Sequence, residues 1–436
     1  MLLGGGVIGC STAYYLTRHP NFNPDLHRIT LLEATDIASG ASGKAGGLLG
    51  LWAYPSCLVP LSYRLHRELA EEHGGAERWG YRRLTCGTIG AIVKTSDLKP
   101  TLPLSTQTNC HNDVLPIQST VSSKQAREED KPWEKLPKQD TAATSLLASA
   151  PLPHDLDWVN SSLVQYYEQM GQPGATETAQ VHPFQFTIAI ADLARAKGVD
   201  IRLRAKAAKL NHTKDTGIQS VAYVDRTTSE SHTIDDVTDV IVTAGPWTGK
   251  LLPKSRIEGL RAHSVVFSAD VTPHAVFTDI QLPPDYVPGH RARLGQKRRH
   301  KGRVDPEIYA RPNGEVYACG EPDSSVPLPE TTDLVQCDEL QCDDLVAYIG
   351  AVSPVLEAAP IKAKQACYLP RHMRFGEERS PLVGPTMVKG LWIASGHTCW
   401  GIQNGPATGY LMAEYLFEGK AKSADIDKLD PRRLKV

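Results

Sequence analysis

The chain begins Met-Leu-Leu-Gly-Gly-Gly-Val-Ile-Gly, which sets Gly4, Gly6 and Gly9 in a GxGxxG pattern ahead of an apolar, helix-like run. Twenty-four positions after Gly9, the short run Ile29-Thr-Leu-Leu ends in Glu33. This is the spacing of a dinucleotide-binding βαβ unit. Gly4 permits a tight strand-to-helix turn, Gly6 lets backbone approach a pyrophosphate, and Gly9 lets the helix pack on the strand. Val7 and Ile8 open that helix, and Glu33 is placed to accept hydrogen bonds from a ribose diol. A glycine triplet alone is weak evidence; the acid at the end of a second strand strengthens it.

Residues 37–50 read Ile-Ala-Ser-Gly-Ala-Ser-Gly-Lys-Ala-Gly-Gly-Leu-Leu-Gly. With Ser39, Gly40, Ser42, Gly43, Ala45, Gly46 and Gly47, this run suits neither a regular helix nor a strand. Its small side chains suit close backbone approach to a flat or anionic ligand. A flexible linker would not run straight into the apolar Leu48–Trp52 stretch. From this loop onward the chain resembles the FAD-dependent amine and amino-acid oxidoreductases, the superfamily of D-amino-acid oxidase, glycine oxidase and sarcosine oxidase. In that family the loop passes the pyrophosphate and ribityl chain and reaches the isoalloxazine, which implies the same for Ser39, Ser42, Gly43, Lys44, Ala45, Gly46 and Gly47.

Two further blocks carry the resemblance. Residues 390–416 hold a short apolar strand, the turn Gly396-His397, and a helix expected from Ala407. In the family this signature lies at the flavin N1/C2=O edge, so the resemblance assigns Gly396, His397, Gly401, Ile402 and Gln403 to the cofactor. A helix start aims unpaired N–H groups and partial positive charge at one spot. Asp239-Val-Ile-Val-Thr-Ala-Gly-Pro-Trp247 is similar to the family strand end that closes over the cofactor, and it implicates Ala244, Gly245 and Trp247. The closest likeness within the family is to fungal FAD-dependent oxidoreductases, some of them endosome-associated.

A chain of 436 residues fits two packed domains. Net charge −2 gives no overall bias toward nucleic acid or a membrane surface. No run of about 20 apolar residues and no basic leader is visible, so a cytoplasmic protein is expected, with endosome association implied by the fungal likeness. The nine cysteines are scattered. Cys337 and Cys342 are nearest, yet nothing completes a zinc pattern, so no metal is expected. Only Met1, Leu2 and Leu3 precede Gly4, whereas a central strand runs about 5–6 residues; the expectation is a shortened start.

The expected fold is α/β: a Rossmann-like FAD domain with a parallel sheet, interleaved with a mainly antiparallel substrate domain. The FAD domain is assigned to residues 1–62, 155–252 and 362–436, and the substrate domain to 63–154 and 253–361. Residues 95–150, rich in Ser, Thr, Gln, Pro and Lys, read as an exposed excursion. Leu61–His73 reads as a helix, as does the stretch from Val181 to Ala196. Tyr81–Val93 and Asp239–Thr243 read as strands, Pro312-Asn313-Gly314 as a hairpin turn and residues 335–358 as one amphipathic helix. The basic run 289–303 resembles a nuclear-import or anion-binding patch, with a solvated loop or an unspliced remnant as the preferred reading.

The family oxidises a C–N bond by hydride transfer to flavin N5, so no protein nucleophile is sought. Cys367 stands where sarcosine-oxidase-like members attach flavin covalently; a non-covalent flavin is expected, because the flanking residues depart from that pattern. Glycine-oxidase-like members have an arginine two residues later, where this chain has Leu369; Arg371 and Arg374 are the nearest substitutes. No lysine lies between Lys254 and Lys297, where the oxygen-activating lysine of sarcosine-oxidase-like members falls, so Lys44 is the substitute cation and slow oxidase chemistry is expected. His397 tunes the flavin edge or caps its turn. Tyr309 and Arg311 share one strand face, a candidate substrate wall. The leading expectation is a small-molecule amine or amino-acid substrate. The alternatives are a weakly catalytic flavoprotein serving a trafficking or signalling partner and, disfavoured by the C-terminal block, an NAD-dependent dehydrogenase.

Overall fold

The fold comes from a computed structural model that describes residues 1–98, 147–170, 177–213, 215–297, 300 and 302–436. Most of the excursion expected over 95–150 lies outside these residues. The first strand is Leu2–Leu3, at the centre of a six-stranded sheet. Its order is Leu382–Pro385, Leu391–Ser395, Val240–Val242, Leu2–Leu3, Thr30–Leu32, Asp200–Arg202. All neighbours are parallel except the outermost Leu382–Pro385. Alternate residues face opposite ways along a strand. Leu2, Leu31 and Ile241 therefore join a core with the helices, while Leu3, Leu32 and Val242 join a core with Ala205, Ile218 and Val221. Those last three belong to a small antiparallel sheet of Ala205–Thr213, Gly217–Asp225 and Ser231–Ile234. Covering both faces is why these short strands are almost wholly apolar.

The helical layer centres on Val7–Leu16, which packs on Pro183–Arg195 and Gly401–Glu418. Gly405 and Gly409 make the second contact close: a Cβ on Gly409 would sit 2.5 Å from the Ser11 carbonyl carbon. Helix Gly401–Glu418 starts six residues before the expected Ala407 and contains Pro406. Proline has no N–H for the Ile402 carbonyl four residues back. The structure supplies a replacement: His66 Nε2 lies 2.9 Å from that oxygen, and Ser62 Oγ accepts the Ala407 N–H at 3.1 Å. Both partners come from helix Val59–His73, the element expected from Leu61 onward.

The second domain is a ten-stranded, largely antiparallel sheet. Its central strands include Ile257–Ser268, Glu315–Cys319, Glu307–Arg311, His274–Gln281 and Thr85–Ile92, with only the last two parallel to each other. The Pro312–Gly314 turn closes the expected hairpin, with Asn313 and Gly314 both at positive φ. Three expectations need correction. Strands Val164–Met170 and Ile361–Arg374 pair into this sheet, so residues in those stretches leave the nucleotide half assigned to them. The single helix over 335–358 is two, Glu339–Gly350 and Pro354–Ala358. Pro354 disfavours helical backbone at Ser353, which stands at φ −133° and caps the second piece. The basic run is not simply a solvated loop: Gly289–Arg293 is a short helix, and Arg291 is buried in a bidentate pair with Asp344 at 2.9 and 2.7 Å.

Candidate active site

One cavity of about 460 Å³ runs from the glycine-rich turn to the face of the large sheet. At its first end, Gly4 sits at φ +116°, and a Cβ on Gly9 would lie 2.0 Å from the Gly4 carbonyl oxygen. No other residue allows this turn-to-helix approach. Glu33, at the end of the second strand, accepts the Gly5 N–H at 2.7 Å and the Thr35 N–H at 2.8 Å. Burial raises its pKa against those hydrogen bonds. The loop 39–47 folds over the helix start, and Ser42 Oγ accepts the Val7 N–H at 2.9 Å.

A strap from the second domain covers this end. Glu330, Thr331 and Thr332 line the cavity. Glu330 pairs with Lys206 at 2.6 Å and Lys250 at 2.9 Å, which hold its carboxyl down to about 2. Asp333 pairs with Arg226 at 2.8 Å. Trp247 Nε1 donates to the Pro329 carbonyl at 2.7 Å, and the Thr332 hydroxyl meets Thr35 and Ser39.

The far end is aromatic and acidic. Phe277, Glu307 and Cys319 stand in register across three strands, and Tyr309 and Tyr317 form the next rank on the same face. Tyr309 stacks on Tyr317 with centroids 5.9 Å apart, and its hydroxyl donates to Glu307. Burial, then the Glu307 charge, raises the Tyr309 phenol well above its usual range. Lys44 crosses the cavity and donates to the Ala366 carbonyl at 2.9 Å, beside the cavity-lining Cys367. Burial outweighs the Lys44 charge and lifts the Cys367 thiol to about 11. His397 lines the wall with Nε2 on Thr408 Oγ1 at 3.0 Å, while its buried Nδ1 has no protein partner. Desolvation lowers it to about 3, so the ring is neutral.

The family model described as "FAD dependent oxidoreductase" (DAO) matches residues 2–415. This chain belongs to the DAO family of FAD-dependent oxidoreductases. It is 34% identical to "Putative oxidoreductase TDA3" of Saccharomyces cerevisiae, covering 99% of this chain and 94% of that protein. It is 32% identical to "Putative oxidoreductase C1F5.03c" of Schizosaccharomyces pombe, covering 99% and 97%. Among solved structures it shares its fold with glycine oxidase from Bacillus cereus: TM-score 0.60, 18% identity, 98% of this chain and 99% of that one. L-proline dehydrogenase from P. horikoshii gives TM-score 0.63 at 14% identity, with 99% and 96% covered.

The residues present fit FAD. The glycine turn is a cradle that any Cβ would fill, and the cavity is continuous from Glu33 to Trp400, with His397 on its wall. Of the residues expected at the cofactor, Gly4, Gly6, Val7, Ile8, Glu33, Ser39, Ser42, Lys44, Ala45, Gly46 and Gly47 line the cavity, with Ala244, Gly245, Trp247, Cys367, His397, Gly401 and Ile402. Gly9, Gly43, Gly396 and Gln403 do not; they shape it from behind. A Cβ on Gly43 would meet the Ala38 carbonyl at 2.2 Å, and Gln403 Oε1 accepts the Gly50 N–H at 2.8 Å.

Arg311 corrects the substrate-wall expectation. It is buried behind the loop, donates to the Ala45 carbonyl, pairs with Glu315 at 3.3 Å and lies over the Tyr317 ring. Tyr309 lines the cavity and Arg311 does not. Sequence reasoning missed the strap, Lys206, Lys250, Glu307 and Phe277. Glu307 was legible: it precedes Tyr309 by two positions and must share its face. The strap has no local signal, because only the fold brings residues 330–333 to Glu33.

Proposed function

We propose that this chain oxidises the C–N bond of a secondary amine or amino acid. FAD supplies the electron sink: the substrate C–H bond breaks, its electron pair leaves as hydride, and the resulting iminium is hydrolysed by water to a carbonyl compound and an amine. The observation that supports this reading is one cavity joining the nucleotide cradle to an aromatic pocket. Glu33 and the loop amides would bind and orient the nucleotide end. Neutral His397 lines the wall beside the helix start at Gly401, whose dipole favours negative charge. Phe277, Tyr309, Tyr317 and Trp400 exclude water from the reacting end. Lys44 is the cation positioned to stabilise charge when electrons pass to oxygen.

We hold the flavin to be non-covalent. Acid precipitation is expected to leave a yellow supernatant; a yellow pellet that whitens in Cys367→Ser overturns this. Anaerobic titration with amines and amino acids is expected to bleach the visible flavin band with at least one of them. The second reading, a weakly catalytic cytoplasmic flavoprotein acting in endosomal trafficking through a protein partner, draws on the absence of any arginine lining the cavity among the described residues. It predicts that no member of the panel bleaches the flavin.

A further inference from the structure

We propose that the aromatic end of the cavity is a cation site, anchored by Glu307, and that it selects an N-methylated or N-alkylated ammonium carrying no carboxylate. This rests on reading the cavity as an amine-oxidising site and names its substrate class.

The argument is one of charge placement. Recognition of an amino acid requires a cation for the substrate carboxylate, and Arg311, Arg371 and Arg374 are engaged elsewhere. Arg311 is held by Ala45 and Glu315, and Arg371 pairs with Glu258 at 2.9 Å. The Arg374 guanidinium lies over the exposed Phe375 ring. None of the three lines the cavity. Of the lysines that do, Lys206 and Lys250 are paired with Glu330 at the strap, and Lys44 is turned onto the Ala366 carbonyl. Beside Lys44, the charged group that lines this end of the cavity among the described residues is a carboxylate. Glu307 stands between Phe277 and Cys319 on adjacent strands, next to Tyr309.

Its surroundings suit a cation further. Phe277, Tyr309, Tyr317 and Trp400 line the cavity with it, and Phe277 meets the Tyr309 ring edge-on at 6.0 Å. Electron-rich ring faces around a carboxylate attract alkylated ammonium groups, whose diffuse charge is readily desolvated. A substrate carboxylate in the same place would meet Glu307 among apolar ring surfaces, and like charges repel.

The test uses the FAD-loaded protein and probes of each kind. Tetramethylammonium has no nitrogen lone pair and cannot be oxidised, so it reports binding alone. Calorimetry and perturbation of the oxidised flavin spectrum are expected to show binding of tetramethylammonium and N-methylpropylamine, and tenfold or weaker binding of N-methylglycine and propionate. Glu307→Gln is expected to weaken tetramethylammonium at least tenfold while flavin content holds. Phe277→Leu provides a second variant should that one fold poorly. Tighter binding of the carboxylates, or tetramethylammonium binding untouched by both variants, overturns the cation site. Bleaching by amino acids but not by amines overturns it and keeps the oxidoreductase reading. Glu307-dependent tetramethylammonium binding with no bleaching by any amine keeps the cation site and overturns that reading.

Discussion

Glu33 bonds two backbone N–H groups, from Gly5 and Thr35, so it organises the turn as well as lining the cavity. Glu33→Gln keeps the shape but weakens charge-assisted acceptance. FAD affinity is expected to fall by about 1–3 kcal/mol, read by quenching of flavin fluorescence on apoprotein. An unchanged dissociation constant would remove Glu33 from the site. Lys44 is the cavity lysine turned toward the Cys367 strand rather than the strap. Lys44→Met is expected to slow reoxidation of chemically reduced protein in oxygenated buffer, measured by stopped flow. Reoxidation that is fast and unaffected would point to another cation. At this scale the sequence told most about backbone-driven positions and least about long side chains. Gly4 and Gly9 are dictated by geometry that only glycine meets, whereas Arg311 keeps the strand face it shares with Tyr309 but its long side chain is drawn off the cavity by Glu315 and the Ala45 carbonyl.

Helix Gly401–Glu418 shows how an element can carry a proline in its interior. His66 occupies the carbonyl that Pro406 leaves open, and burial lowers the His66 pKa to about 4. An unfolded histidine titrates near 6.5, so between those values the unfolded chain binds more protons. The stabilisation is complete above pH 6.5 and is lost as pH falls toward 4, on the order of 3 kcal/mol by the lower limit. His397 adds loss in the same direction. Urea melts across pH 4–7 are expected to fall on the acid side, and His66→Gln to flatten part of that slope. A slope unchanged in the variant would assign the effect elsewhere. The glycines Gly405 and Gly409, spaced by four, share one helix face and bring it close to Val7 and Ser11. The start at Gly401 was not readable in advance, since proline normally marks a helix boundary and its remedy lies more than 300 residues away in sequence.

The molecule holds its nucleotide end with parts of both domains. The strap is fixed by exposed ion pairs from Glu330 and Asp333 to Lys206, Lys250 and Arg226, which salt screens readily. Glu330→Gln is expected to speed FAD release several-fold, measured by transfer to a flavin-binding acceptor. Added salt is expected to speed release from the unaltered chain more than from the variant; equal salt responses would separate the strap from cofactor retention. The two-domain interleaving was legible because each nucleotide block carries its own glycine or apolar signature. The exact boundaries were not, because nothing local in Val164–Met170 or Ile361–Arg374 says which sheet they join.

The order of the central sheet has a consequence for biosynthesis. Leu2–Leu3 lies between Thr30–Leu32 and Val240–Val242, and the latter pairs with Leu391–Ser395. The cavity also needs Trp400, Gly401 and Ile402. At about 5–20 residues per second, the amino-terminal glycine turn leaves the ribosome roughly 20–80 s before its last structural partners exist. The nascent chain therefore carries an apolar, half-built nucleotide fold through nearly all of translation. Cofactor loading belongs to the finished polypeptide, and cellular flavin supply bears on how much newly made protein survives that interval.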